Sequence, residues 1–114
     1  KADEYVSMGV KLEKVISVPL VNINDLIFEN FDGPPVILSV DVEGLDAEII
    51  KSIDLTKYRP TIICAETITY SNANQEIKLD EIADYLKSNE YLVYADTYIN
   101  TIFVDRRIWD ARPR

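Results

Sequence analysis

With 114 residues, 47% of them hydrophobic, the chain holds at most one ordinary domain. It carries enough apolar material to bury roughly two thirds of its unfolded surface, so wholesale disorder is excluded. Twenty acids against twelve bases give a net charge of −8, which argues against a nucleic-acid partner, because phosphate binding needs a basic surface. A single cysteine removes internal disulfides and multi-cysteine metal sites, and the lack of histidine removes Ser–His and Cys–His hydrolases and histidine-ligated zinc.

The N-terminus, Lys1 to Tyr5, shows neither an initiator methionine nor a charged-then-apolar leader pattern, and it reads as the start of a segment from a longer protein. No apolar run approaches the roughly 20 residues that a membrane-spanning helix needs, so a soluble, cytoplasmic protein without a membrane partner is expected. Residues 12–21, LEKVISVPLV, alternate and are rich in β-branched side chains, which predicts a short peripheral strand with Pro19 at an edge or bend. Asn22 followed three residues later by Asp25 resembles an N-cap, and a short helix is expected from there to about Asn30. After the loop Asp32-Gly-Pro-Pro35, residues 36–42 form a nearly continuous apolar run of the kind found in parallel strands covered on both faces.

Beyond Gly44 the period changes. Leu45, Ile49 and Ile53 recur at four, with Ile50 on the same face, which predicts an amphipathic helix. Asp46 and Glu48 are read as favouring its N-terminus through the helix dipole. Residues 54–59 turn, and residues 60–66 form a second buried strand that carries Cys64 as a strand thiol and ends on Glu66. Residues 67–77 read as a polar loop. Leu79, Ile82, Ala83 and Leu86 then mark a second helix, and residues 91–95 and 99–104 a hairpin of two strands. Arg106, Arg107, Arg112 and Arg114 read as a solvated tail.

This order predicts a three-layer α/β sheet, mostly parallel, with an antiparallel element at one edge. Ligands of such sheets bind beyond the carboxyl ends of the strands, where Asp41, Glu43 and Glu66 fall, and Gly44 would let the chain turn sharply into the helix. An acid placed at the end of a buried strand costs free energy unless it is paired or used, so Asp41 is the leading site candidate.

The stretch LSVDVEGLDAEII, preceded by VPLVNINDLI and followed by RPTIICAET and EIADYLKSNEYLVYADTYINTIFV, resembles the C-terminal part of the FkbM-like family of S-adenosylmethionine-dependent methyltransferases. The similarity covers roughly residues 12 to 105. It implies a Rossmann-like sheet in which residues 36–42 form the fourth strand and an antiparallel last strand inserts beside its neighbours. It also implies O-methylation of a hydroxyl on a sugar, glycan or small metabolite, with S-adenosylmethionine as cofactor. Ser39 stands where family members often carry a lysine. With only Gly9, Gly33 and Gly44 present, no G-x-G cofactor loop can be written, so residues 1–114 are expected to be one C-terminal domain fragment lacking the cofactor-loop half, inactive alone. Asp41 and Glu43 are the catalytic candidates on this resemblance, with Gly44, Glu66 and Asn100 near substrate or cofactor and no metal. An apolar strand left at a sheet edge adds the expectation of a homodimer. A magnesium-dependent phosphotransfer domain, with acids at strand ends, and a non-catalytic α/β interaction module are the alternatives.

Overall fold

The computed structural model describes residues 2–71 and 73–114; Lys1 and Asn72, which belong to the N-terminal and polar-loop expectations, lie outside them. The chain forms α1 (Ala2–Ser7), α2 (Ile23–Asn30), β1 (Ile37–Val40), α3 (Asp46–Ser52), β2 (Ile62–Glu66), β3 (Ile68–Tyr70), β4 (Glu76–Lys78), α4 (Glu81–Ser88), β5 (Tyr91–Asp96), β6 (Asn100–Asp105) and α5 (Arg106–Ala111). No helix among the described residues is long and apolar enough to cross a membrane.

Four strands make the main sheet, in the order β1-β2-β6-β5. Strands β1 and β2 pair in parallel, Leu38 opposite Ile63, across the α3 crossover. Strand β6 inserts antiparallel between β2 and β5, with Phe103 opposite both Ile63 and Val93. The inserted antiparallel last strand is therefore present, but the sheet is not mostly parallel: two of its three pairings are antiparallel, because the one reversed strand sits inside the sheet rather than at its edge.

Helices α3 and α4 cover one face. Ile50 of α3 and Ile82 and Leu86 of α4 meet Val40, Ile63, Ala65, Tyr91 and Phe103 in a single buried cluster. The period-of-four reading of both helices thus finds its core, although Leu79 lies just before α4 and Leu45 is exposed. On the opposite face Ile62, Cys64 and Ile102 are only half-buried, which corrects the expectation of a buried Cys64 and leaves the third layer incomplete. Strand β1 is also not covered on both sides. Val36 is 67% and Ile37 61% exposed, because β1 is an edge strand whose apolar run has only β2 and one helical face to meet.

Asn22 caps α2 as expected, its side chain accepting the Asn24 N–H at 2.8 Å. Asn24 then ties α2 to the end of α3, donating to Ser52 O at 2.8 Å and accepting the Asp54 N–H at 2.7 Å. Residues 12–21 form no strand. Leu20 is fully exposed and Val15 is 78% exposed, and alternation alone makes no strand where no neighbour supplies a ladder. Residues 67–77 are likewise not a plain loop: β3 and β4 form a small antiparallel hairpin with Thr69 opposite Ile77. The C-terminal arginines are partly engaged. Arg107 pairs with Asp105 at 3.1 Å and Arg112 lies over the Trp109 ring at 3.5 Å.

Candidate functional site

A cleft of about 900 Å³ opens at the carboxyl ends of β1 and β2, between the turn into α3, the β3–β4 hairpin and the start of α4. Glu43, Gly44 and Asp46 line one side, Glu66 the base, Thr69, Tyr70 and Ser71 the hairpin side, and Glu81 and Ile82 the α4 side. This is where an open α/β sheet is expected to bind a ligand.

The turn that carries Glu43 into the cleft is conformationally unusual. Glu43 (φ 53°) and Gly44 (φ 103°) are both left-handed, so the sharp bend foreseen at Gly44 is shared with its acidic neighbour. Asp46 braces the bend, its Oδ2 accepting the Gly44 N–H at 3.3 Å. Asp46 stands in the first turn of α3, as its place in the sequence leads one to expect, yet the residue is only 5% exposed and its Oδ1 has no donor among the described residues.

Glu66 closes β2. Burial raises its carboxyl above the ordinary glutamate value, and the charges of Asp41, Glu43 and Asp46 push in the same direction. Asp41 is exposed and does not line the cleft; its connection to the site is this electrostatic one. Asn100 stands opposite Glu66 in the β2–β6 register, but it too is absent from the cleft wall, where its backbone instead joins the turn with Thr97. The structure thus brings together Glu43, Gly44 and Glu66 of the expected residues, adds Asp46, and leaves Asp41 and Asn100 at the margin. Among the described residues no three acidic, histidine or cysteine side chains converge as a metal site requires.

Sequence reasoning missed the hairpin wall. The signal was present in Ile68-Thr69-Tyr70, a strand-like triplet followed by Ser- and Asn-rich turn residues. Its fixing point is a polar node: Lys78 Nζ donates to Thr67 Oγ1 at 2.7 Å, Tyr98 O at 2.7 Å and Asp96 Oδ1 at 2.8 Å, and the Thr67 and Thr101 hydroxyls are 2.7 Å apart.

Residues 2–93 match the family model described as the methyltransferase FkbM domain. No curated protein and no solved structure matches the chain. The match spans both acid-bearing strand ends, the turn between β1 and α3, and the hairpin wall of the cleft. The chain belongs to the methyltransferase FkbM domain family.

Proposed function

We propose that the chain forms the acceptor-binding side of an S-adenosylmethionine-dependent O-methyltransferase that acts on a hydroxyl of a sugar, glycan or small metabolite. The observation that carries this is Glu66. A carboxylate of ordinary acidity is a poor base for an alcohol, and Glu66 is the cleft acid whose proton affinity is raised, by burial first and by three neighbouring acids second. In this reading Glu66 accepts the hydrogen bond of the acceptor hydroxyl, aligns the oxygen and would hold the proton that the hydroxyl gives up. Asp41 contributes charge to Glu66 rather than contact with the acceptor.

The residues present do not fit the methyl donor by themselves. Of the three glycines only Gly44 lines the cleft, and none stands near another in the chain, so no glycine-rich cradle exists here for a nucleoside. We assign that cradle to sequence preceding Lys1, and the bare outer edge of β1 to the surface it completes. A cytoplasmic location belongs to this proposal as well, and so does pairing of two copies through the same edge when the 114-residue chain stands alone and nothing else covers it.

Incubating the intact protein with radiolabelled S-adenosylmethionine and a panel of glycosides tests it. Label on a glycoside oxygen is expected. Label on no hydroxyl in the panel, with the donor bound, contradicts the reading.

A further inference from the structure

Four acids, Glu43, Asp46, Glu66 and Glu81, line the cleft, and among the described residues no lysine or arginine does. Glu81 is already paired with Lys51. An acidic wall alone would be mere surface, but Asp46 is different in kind. It is 5% exposed, Oδ1 has no donor among the described residues, and Oδ2 accepts only the long 3.3 Å contact from the Gly44 amide. A buried carboxylate is stable when paired with charge and supplied with donors, and here no cation pairs with Asp46 among the described residues and its one donor is the Gly44 amide.

We propose that Asp46 seats a cationic amine of the acceptor molecule, so that the preferred acceptor is an amine-bearing polyol, such as an amino sugar, rather than a neutral or anionic one. This rests on the cleft being the acceptor side. A hydroxyl would bring one donor and leave the charge of Asp46 uncompensated, whereas an ammonium brings three donors and a full positive charge. Glu43 and Glu66 add a negative field that favours the same ligand. With Asp46 compensated, Glu66 loses only its smallest upward influence, since burial is the largest.

Calorimetric titration of the intact protein at about pH 6, where the amine is charged, with glucosamine, N-acetylglucosamine and glucose tests the proposal. Glucosamine is expected to bind about tenfold more tightly than either of the others, the effect of one charge-assisted hydrogen bond. Asp46→Asn keeps the size and the acceptor for the Gly44 amide, and should erase the preference; Glu43→Gln, which leaves Asp46 in place, should reduce it. Equal affinities for glucosamine and glucose, no binding of glucosamine, or a preference that survives both substitutions would overturn the proposal. Methyl transfer to neutral glycosides without amine preference would overturn it while leaving the proposed function standing. Amine preference in a protein that methylates no hydroxyl would do the reverse.

Discussion

Lys78 Nζ lies 2.7 Å from the hydroxyl of Thr67, and through it the β3–β4 hairpin is bound to the main sheet. The same ammonium reaches Asp96 and the Tyr98 carbonyl in the β5–β6 turn. One side chain therefore holds the hairpin wall of the cleft against the strand that is inserted last.

Replacing Lys78 by methionine keeps the aliphatic stem and removes every donor. The expected cost is about 1–2 kcal/mol, read as a lower urea midpoint. Asp96, whose carboxyl is held below its ordinary value first by the Lys78 hydrogen bond, should titrate nearer that value in the variant. Since Thr69, Tyr70 and Ser71 line the cleft from the hairpin, acceptor KM should rise more than kcat falls. An unchanged midpoint and an unchanged Asp96 titration would show that the node is not what fixes the wall.

Asp105 gives a pH prediction with a definite sign. Burial pushes its carboxyl up, but hydrogen bonds from Arg59, at 2.7 Å, and Arg107 outweigh burial and hold it at about 2, against 3.8 for a free aspartate. A depressed folded value means that the contribution is complete above the unfolded value near 3.8 and is lost as pH falls through about 2. At neutral pH it is roughly 2 kcal/mol. The stability difference between the wild type and Asp105→Asn should be largest at about pH 6 and shrink toward zero on acidification below the unfolded value. A difference independent of pH would remove the ion pair from the account.

The outer edge of β1 predicts association. Val36 and Ile37 are largely exposed beside unpaired strand amides, and a second copy is one way to cover them. Sedimentation of the 114-residue chain should show concentration-dependent dimers, and Ile37→Lys, which places a charge on the edge, should abolish them. A monomer at high concentration would contradict this.

Asp41→Asn should change the pH dependence of methyl transfer more than its maximum. The exposed Asp41 influences Glu66 through charge, so its neutralisation lowers the proton affinity of Glu66 and moves the acid limb of the rate profile to lower pH. A fall in the maximal rate by orders of magnitude with an unmoved limb would instead make Asp41 the base.

Much of this architecture was legible in the sequence, because periodicity reports burial. Ile50, Ile82 and Leu86 announced the helical faces, and the acids after the apolar runs announced the end of the sheet where the cleft lies. What failed depended on neighbours that the chain order does not name. Residues 12–21 have strand-like alternation but no strand beside them among the described residues, whereas the edge position expected for the apolar run of β1 is the one it takes. Asp46 stands in the first turn of α3, as the dipole reading expects, but its burial was not legible, because an acid at that place is ordinarily solvated.

The most direct measurement is methyl transfer by the intact protein carrying Glu66→Gln, with donor affinity measured alongside. Glutamine preserves the shape of the cleft and a hydrogen-bond acceptor but cannot take a proton at neutral pH. The account predicts a loss of turnover of about 10²- to 10⁴-fold with unchanged donor binding. Turnover within a few-fold of the wild type would contradict it, because the acid with the raised proton affinity would then be part of the wall and not of the chemistry.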